Sequence, residues 1–478
     1  MILADDDCYA ALRARDARFD GQFFVGVSST GIYCRPVCTA RTPRRAHCAF
    51  FASAAAAERG GFRPCLRCRP ELAPGLASVD ASRRLAQAAA SRIDDGQLTD
   101  SSLASLASSL GVTDRHLRRV FDDEFGVSPV EYAQTQRLLL AKRLLTDTAL
   151  PVTDVAMAAG FGSLRRFNAL FRQRYRLTPG ALLRSPGANP LATLVFDLAY
   201  RPPYVWDAML AFLAARCIDG VESVDGLTYR RAVLLRRGTA RVSGWVAVTP
   251  APRRHALRAT LSGSLAHAVP PVLARLKRLF DLGCRPDEIA RHLGPLAAGE
   301  PGLRVPGAFD GFEMAVRAIL GQQITVRAAR TLAGRVAAAL GEPAGTPWPG
   351  VTLTFPDPVR VVEAGVGGLS ALGVTGTRVR AILALADACA SGRLSLEPGA
   401  DVDRALGTLR EMPGIGEWTA QYIAMRALAW PDAFPHSDYG VMKALGLTSP
   451  SRVLKTAEPW RPWRAYATVH LWRSLEES

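Results

Sequence analysis

One stretch decides the fold of the C-terminal half: Met412-Pro413-Gly414-Ile415-Gly416-Glu417-Trp418-Thr419-Ala420. Two glycines separated by one residue follow a proline and precede a helical pattern, which predicts a tight hairpin between two helices with positive φ angles. Backbone N–H groups at such a turn bind a phosphate without reading base sequence. A second stretch, Asp432-Ala433-Phe434-Pro435-His436-Ser437-Asp438, ends 22 residues beyond Gly416. The sequence therefore predicts a carboxylate, Asp438, that faces whatever carries the phosphate.

The hairpin and the carboxylate together resemble the helix-hairpin-helix DNA glycosylases. Other segments resemble the AlkA-type 3-methyladenine DNA glycosylases, and the match spans nearly all of residues 191–478. This resemblance implies a small α+β domain at 191–268 and a helix-hairpin-helix glycosylase domain at 269–478. The segments that carry it are Tyr200-Arg201-Pro202-Pro203-Tyr204, Met209 to Arg216, Gly302 to Gly307, Arg317 to Gln323 and Trp460-Arg461-Pro462-Trp463-Arg464.

The resemblance assigns roles to residues of this half. Asp438 takes the place of the catalytic carboxylate, and Trp418, Tyr422 and Trp472 match positions of the base pocket. Each aromatic residue alone fits a hydrophobic core equally well. The second carboxylate of the stretch, Asp432, is better explained as a hydrogen-bonded loop or helix-cap residue.

Two further positions of the glycosylase half concern DNA. Gly414 and Gly416 are expected to place the hairpin backbone against a DNA phosphate. The family inserts an apolar leucine after Gly-Gln to fill the gap left by an extruded base, whereas this chain has Gln323.

Bifunctional relatives carry a lysine after the hairpin, but this chain has Trp418 there and no lysine between 412 and 438. We therefore expect a monofunctional enzyme.

Four cysteines near the N-terminus have the spacing of a metal site. Cys34 and Cys38 form one close pair, and Cys65 and Cys68 form a second. Two such pairs in a short segment suit a closed tetrahedral zinc site, which from spacing alone is best explained as structural. Residues 35–69 hold eight arginines and a single acid, Glu58. The arginines balance the negative charge of four thiolates and suit DNA phosphates.

The residues around these cysteines resemble the N-terminal domain of the Ada regulator of the alkylation response. The match runs over about residues 5–75 and rests on the stretches Thr30 to Cys38 and Gly61 to Cys68. In that family the first cysteine accepts a methyl group from a DNA phosphotriester, a role that carries over to Cys34. The resemblance therefore implies one zinc ion, structural and reactive, bound by Cys34, Cys38, Cys65 and Cys68. The remaining cysteines are expected to be small buried hydrophobic residues.

Residues 80–185 have a duplicated helical pattern. A helix ends at Gly111 and a Thr113-led helix follows, and the pattern recurs from Val155 to Gly160 and from Leu164 to Arg172. This duplication resembles the AraC-type DNA-binding domain, with aromatic core residues at Phe161, Phe167 and Phe171. The alternative is an ordinary small helical bundle. Residues 163–184 hold six arginines and no acid, and Arg118, Arg165 and Arg166 are expected to contact DNA.

Length and charge bound the remaining possibilities. A chain of 478 residues with 49% hydrophobic residues predicts three or four folded domains. The net charge of +16 favours a polyanionic partner, although ribosome or acidic-membrane binding fits the charge alone equally well. No run of 18 apolar residues predicts a membrane span, and the acidic start Asp5-Asp6-Asp7 is unlike a secretory signal. We expect a cytoplasmic, nucleoid-associated monomer that binds double-stranded DNA at alkylated and promoter sites.

The predicted fold class is multidomain and mostly α. It comprises a zinc-bound α+β domain at 1–76, an AraC-type double helix-turn-helix at 80–185, an α+β domain at 191–268 and the glycosylase domain at 269–478, with a linker at 185–190. The Pro-Cys-His-Arg motif of the guanine-alkyl transferase half of Ada is absent. The predicted function is base excision of alkylated bases, fused to a methyl-sensing transcriptional regulator. The alternatives are a regulator with an inactive glycosylase-like half, and a glycosylase whose front half only docks it on DNA.

Overall fold

The computed structural model describes residues 4–74, 81–148, 150–183, 193–237, 240–397 and 399–475. The chain forms two compact units. The first consists of Met1–Pro202, Ala251–Ala274 and Leu282–Cys284. The second consists of Pro203–Pro250, Arg275–Asp281 and Arg285–Ser478. The linker predicted at 185–190 lies outside the described residues.

The first unit begins with a four-stranded sheet in the order β3-β1-β2-β4. Strand β1 pairs antiparallel with β2 and β3, and β2 pairs parallel with β4. Val25 lies opposite Cys34 in this register, so the first predicted zinc ligand is fixed at the end of a central strand. The elements of this part are α1 Asp5–Ala14, β1 Phe24–Val27, β2 Ile32–Cys34, β3 Cys48–Phe51, α2 Ala54–Arg59 and β4 Arg63–Pro64.

Seven helices follow in the first unit and confirm the duplicated pattern. The first pair of the repeat turns at Gly111, whose φ is 72°, and its second helix is capped by the Thr113 side chain. The second pair turns at Gly160, whose φ is 83°, and its second helix is capped by Ser163. The helices are α3 Ala81–Asp94, α4 Gln97–Asp100, α5 Leu103–Ser109, α6 Asp114–Phe125, α7 Pro129–Asp147, α8 Val152–Ala158 and α9 Leu164–Tyr175.

The long helix α7 joins the two pairs. It starts with a capping box in which Ser128 and Glu131 satisfy each other's backbone N–H groups. The expected aromatic core of the second pair is confirmed, because Phe161, Phe167 and Phe171 are buried with successive ring centroids 5.0 and 5.5 Å apart. The residue pattern therefore predicted this part of the fold well.

Strands and one helix form the start of the C-terminal half, in agreement with the predicted α+β class. In the first unit β5, Thr193–Ala199, pairs antiparallel with β9, Ala256–Ser262, along its whole length. In the second unit β6, β7 and β8 form an antiparallel meander. The other bounds are α10 Trp206–Ala214, β6 Glu222–Asp225, β7 Thr228–Arg237 and β8 Ala240–Ala251.

From residue 269 onward the regular elements are helices, as predicted. A buried ion network fixes the strands of the second unit against α13: Arg231 pairs with Glu313 at 2.6 Å, and Arg317 pairs with Glu222 at 2.8 Å. The helices are α11 Val269–Leu279, α12 Pro286–Leu293, α13 Gly311–Leu320, α14 Val326–Leu340, α15 Pro358–Ala371, α16 Gly376–Ala390, α17 Val402–Glu411, α18 Glu417–Arg426, α19 Tyr439–Leu445, α20 Pro450–Thr456 and α21 Arg464–Ser474.

The protein is thus multidomain and mostly α-helical, as the sequence predicts. No helix within the described ranges is long and apolar enough to cross a membrane.

The start of α13 tolerates no side chain. A Cβ atom at Gly311 would lie 2.3 Å from the backbone oxygen of Leu396. We expect Gly311→Ala to destabilise the second unit by about 1–3 kcal/mol, because the backbone around it has to shift. Differential scanning calorimetry checks this through the midpoint of thermal unfolding. Gly407→Ala is the matched control: its Cβ meets nothing within 4 Å inside α17, and alanine favours a helix by about 1 kcal/mol. Equal midpoints for the two variants would contradict the prediction.

Candidate active site and metal centre

The predicted helical hairpin joins α17 to α18. Gly414 has a φ of 83°, which confirms the need for glycine there. The expectation of positive φ is wrong for Gly416, which has a φ of −88° because it serves as the N-cap of α18. The space beside Gly416 is open, since a Cβ atom there would meet nothing within 4 Å. Next to it, Glu417 pairs with Arg410 at 2.6 Å, and this hydrogen bond holds the pKa of Glu417 below its ordinary value.

The carboxylate of Asp438 is fixed by three donors. Asp438 caps α19, and its Oδ1 accepts from the backbone N–H of Val441 at 3.1 Å. The same oxygen accepts from the Trp472 indole N–H at 2.9 Å. Its Oδ2 accepts from the Trp418 indole N–H, also at 2.9 Å. Both carboxylate oxygens are therefore held in place, and the group is only half-buried.

The three aromatic residues predicted to line a pocket lie together beside Asp438. Trp418 and Tyr422 stack with their ring centroids 5.2 Å apart and their planes 11° apart. Trp472 lies 6.3 Å from Tyr422 on one side and stacks at 6.2 Å on Phe212 on the other. Gly440 permits this arrangement, because a Cβ there would lie 3.0 Å from the Trp472 ring.

Gln323 lies in the turn between α13 and α14. It is exposed and has a φ of 55°, a strained backbone conformation for a residue with a side chain. The neighbouring Gln322 side chain donates to the carbonyl of Gly414 at 2.8 Å and to the hydroxyl of Thr419 at 2.9 Å. These bonds attach the turn that carries Gln323 to the hairpin.

The second carboxylate of the decisive stretch has a structural role, as expected. Asp432 is buried and accepts hydrogen bonds from Arg464 at 2.6 Å and from Arg461. Its charge is therefore already neutralised by two guanidinium groups.

The four predicted zinc ligands form one cluster. The sulfur atoms of Cys34, Cys38, Cys65 and Cys68 all lie within 4.8 Å of one another. Sulfurs arranged tetrahedrally around zinc lie about 3.8 Å apart, since each Zn–S bond is about 2.3 Å. The four thiols therefore fit a zinc ion. The strands position two of them: Cys34 ends β2, and the N–H of Cys65, the residue after β4, donates to the carbonyl of Tyr33 at 3.0 Å.

The other cysteines lie apart from this cluster. Three of them, Cys8, Cys217 and Cys284, are buried as predicted. Cys48 and Cys389 are only half-buried, so the prediction of full burial is wrong for these two.

A buried acid links the strand of Cys34 to the helical repeat. Glu58 accepts from the Tyr33 hydroxyl and from the Thr135 hydroxyl, each at 3.1 Å, and its backbone carbonyl accepts from Arg174 at 3.4 Å. Burial raises the pKa of Glu58 to about 7. Tyr33 belongs to β2, Thr135 to α7 and Arg174 to α9.

The arginines predicted to contact DNA are exposed. Arg165 and Arg166 lie in the first turn of α9, the second helix of the second pair. Arg118 lies in the second turn of α6, the second helix of the first pair, and pairs with Asp114 at 2.9 Å. Exposed surface pairs of this kind contribute little to stability, so Arg118 is free to exchange partners.

Comparison with known proteins agrees with this geometry. Residues 7–71 match the metal binding domain of Ada, residues 106–185 match a helix-turn-helix domain, and residues 195–310 match the AlkA N-terminal domain. A protein of Mycobacterium tuberculosis named "Probable bifunctional transcriptional activator/DNA repair enzyme AlkA" is 39% identical over 485 residues, which cover 98% of this chain and 96% of that protein. The chain belongs to this bifunctional AlkA family.

Other relatives cover the two halves separately. DNA-3-methyladenine glycosylase 2 of Escherichia coli is 40% identical over 278 residues, which are 58% of this chain and 96% of that protein. The bifunctional transcriptional activator/DNA repair enzyme AdaA of Bacillus subtilis is 33% identical over 176 residues, which are 36% of this chain and 80% of AdaA. The bifunctional AlkA family thus joins a front half similar to AdaA to a back half similar to the glycosylase.

Sequence reasoning missed three residues around these sites. Arg426 follows Trp418 and Tyr422 at intervals of four residues, a spacing that signals one face of α18. Phe212 lies inside a segment that carried the glycosylase resemblance. Glu58 is the single acid among the eight arginines of residues 35–69, and this isolation was a signal that its carboxylate is buried and has a structural role.

The four-thiol cluster predicts a specific metal dependence. We expect Cys65→Ser to lose bound zinc, because a hydroxyl is a poor replacement for a thiolate ligand. Elemental analysis of the purified protein measures the zinc. Cys48→Ser is the matched control, since Cys48 lies outside the cluster, and it should keep the zinc content of the unaltered protein. Retention of that content by Cys65→Ser would contradict the assignment.

Proposed function

We propose that the protein repairs alkylation damage in DNA with two linked activities. The back half is a monofunctional DNA-3-methyladenine glycosylase that hydrolyses the N-glycosidic bond of alkylated bases. The front half is a methyl-sensing, DNA-binding transcriptional regulator that accepts a methyl group from DNA phosphotriesters. The observation that carries the enzyme assignment is the Asp438 carboxylate, held by two indole N–H groups beside an aromatic pocket.

Asp438 stabilises the transition state of base release. The bond between C1′ and the base breaks with its electron pair going to the base, and positive charge develops on the sugar. A fixed carboxylate close to that charge stabilises it electrostatically. Water then adds to C1′ and loses its proton to Asp438 or to solvent. Because the three donors hold the carboxylate before substrate arrives, little reorganisation is needed.

Trp418, Tyr422 and Trp472 receive the extruded base. An alkylated purine is electron-poor, and aromatic faces attract such a ring by stacking and by cation–π interaction. The base must leave the duplex to reach them. Gln323, on its exposed and strained turn, takes the place of the base and offers its amide to the unpaired partner base. Gly414 and Gly416 bring the hairpin backbone to a phosphate of the same strand.

Cys34 accepts the methyl group in the front half. Its sulfur forms a bond to the methyl carbon while the bond from that carbon to the phosphotriester oxygen breaks, which leaves a phosphodiester anion. Cys34, Cys38, Cys65 and Cys68 would hold a zinc ion, which would keep these thiols deprotonated and Cys34 nucleophilic. The product thioether is neutral, so the cluster becomes less negative and repels DNA less. Transfer occurs once per protein molecule, because a thioether does not return its methyl group.

The helical repeat brings this sensor to promoters. Arg118, Arg165 and Arg166 contact the major groove or its phosphates, and the exposed arginine side chains fit both kinds of contact. We assign the domains to residues 1–76, 80–185, 191–268 and 269–478. The matches at 7–71 and 106–185 support the first two, whereas the match at 195–310 crosses the boundary proposed at 268. Since its substrate is chromosomal DNA, we propose that the protein acts as a monomer in the cytoplasm, at the nucleoid.

A second candidate function is a regulator whose back half only grips DNA. The departure at Gln323 favours it, because a polar side chain stands where the family places an apolar wedge. The intact carboxylate and its two indole donors favour the enzyme. Base release by the whole protein distinguishes the two.

We expect Asp438→Asn to lower base release from methylated duplex DNA by about 10²–10³-fold, as expected for loss of one electrostatic stabiliser. Asparagine still caps a helix, so α19 should remain folded. Released bases are measured by chromatography, and strand nicks are scored before and after alkali. Asp401→Asn is the matched control, because Asp401 also caps a helix, α17. Nicks without alkali would contradict a monofunctional enzyme, and unchanged release by Asp438→Asn would contradict the role of Asp438.

Methyl transfer has a direct signature in mass. After incubation with DNA that carries methyl phosphotriesters, we expect the protein to gain one methyl group, located on Cys34 by peptide mass spectrometry. Cys34→Ala should gain none, whereas Cys48→Ala should gain one. A protein that stays unmodified while releasing bases would instead be a glycosylase with a purely structural zinc domain.

A further inference from the structure

Arg426 is a buried cation that the proposed mechanism leaves unused. It lies one helical turn beyond Tyr422 on α18, and it is 3% exposed. Its guanidinium donates to the carbonyl of Pro306, to the carbonyl of Gly307 at 3.2 Å, and to the hydroxyl oxygen of Tyr422 at 2.7 Å. Each of these acceptors is neutral.

Arg426 and the equally buried Arg231 differ in their partners. Arg231 pairs with Glu313 at 2.6 Å, and the less buried Arg317 pairs with Glu222 at 2.8 Å. No carboxylate in the described part of the chain forms an ion pair with Arg426. Burial lowers the pKa of Arg426 to about 10, so the guanidinium remains charged at neutral pH. A buried cation without an acid costs stability, which suggests a function.

Aromatic rings partly compensate this charge. The Arg426 guanidinium carbon lies 4.7 Å from the centroid of Phe212 and 5.5 Å from that of Tyr422. Phe212 stacks on Trp472, and Tyr422 stacks on Trp418. Arg426 therefore contacts the outer side of the aromatic group that forms the pocket, and it is attached to that group by one strong hydrogen bond.

The state of the Tyr422 hydroxyl follows from this bond. Burial alone would raise the pKa of Tyr422, but the charges of Arg426, Arg216 and Arg317 outweigh burial and bring it below its ordinary value. The oxygen accepts from Arg426, and within the described residues the hydroxyl proton is donated to no protein group. A phenol made more acidic in this way is a stronger hydrogen-bond donor.

We infer that Arg426 is a positioning residue for base recognition: it fixes the Tyr422 oxygen as its acceptor, so that the Tyr422 O–H donates to an acceptor atom of the extruded base. This inference rests on the proposed glycosylase function. The partner atom on the base is a ring nitrogen or a carbonyl oxygen of an alkylated purine. Arg426 does not touch the base; it acts through Tyr422.

The test is a double-mutant cycle on single-turnover base release. Tyr422→Phe keeps the ring and removes the hydroxyl, and we expect it to slow release on the order of ten-fold, the size of one charge-assisted hydrogen bond. Arg426→Gln should slow release by a similar factor, and the double variant should be no slower than either single variant. Arg426→Lys keeps a charged donor and should recover most of the rate. Factors that multiply in the double variant would overturn the inference.

A spectroscopic readout separates positioning from a merely structural role. The titration of Tyr422 is obtained from ultraviolet absorbance by subtracting the spectrum of Tyr422→Phe. In Arg426→Gln the midpoint should rise, and in Arg426→Lys it should stay near that of the unaltered protein. An unchanged midpoint in Arg426→Gln would overturn the inference.

Two further controls keep the result interpretable. If thermal unfolding shows that Arg426→Gln is not folded, Arg426→Lys and Tyr422→Phe provide the test. A rate of base release that Arg426→Lys retains and Tyr422→Phe loses supports the inference. Loss of the rate in Arg426→Lys alone overturns it. If the unaltered protein releases no base, the proposed function fails, and the phenol titration still decides whether Arg426 governs Tyr422.

Discussion

The back half depends on the hydrogen bonds that converge on the Asp438 carboxylate. Trp418 of α18 and Trp472 of α21 each donate an indole N–H to it, and α19 begins on it through the N–H of Val441. Three separate helices are thereby aligned on one acid. The same bonds orient the indole rings, so a single set of contacts holds both the proposed catalytic carboxylate and the aromatic surface that we propose receives the base.

A strongly basic protein must also neutralise its buried cations. Several buried guanidiniums in the described ranges pair with acids: Arg35 pairs with Asp20, Arg464 with Asp432 and Arg231 with Glu313. Each of these pairs connects segments distant in sequence. In each pair, a fixed partner of opposite charge offsets the cost of desolvating the guanidinium. Arg426 is handled differently, with carbonyls, a phenol and aromatic faces as its partners, and it lies behind the pocket.

The front half shows how Cys34 and the helical repeat are physically connected within the first unit. Glu58 binds Tyr33, the residue before Cys34, and Thr135 of α7. Lys142 of α7 pairs with Glu71 at 2.7 Å, close in sequence to the last zinc ligand. The zinc segment and the helical repeat therefore share buried polar contacts, which favours one cooperative structure over two modules joined by a flexible linker.

The sequence by itself determined the local chemistry: the four-cysteine spacing, the duplicated helix pairs with Gly111 and Gly160, the hairpin at Gly414 and the candidate acid Asp438. Those features are local because glycine turns, helix caps and close ligand pairs are set by residues a few positions apart. Only the tertiary structure decided that Trp472 reaches Asp438, that Phe212 stacks on Trp472, and that Gly416 is an N-cap without positive φ. It also decided that no acid among the described residues pairs with Arg426. These facts depend on side chains brought together from distant segments by packing, which no local pattern records.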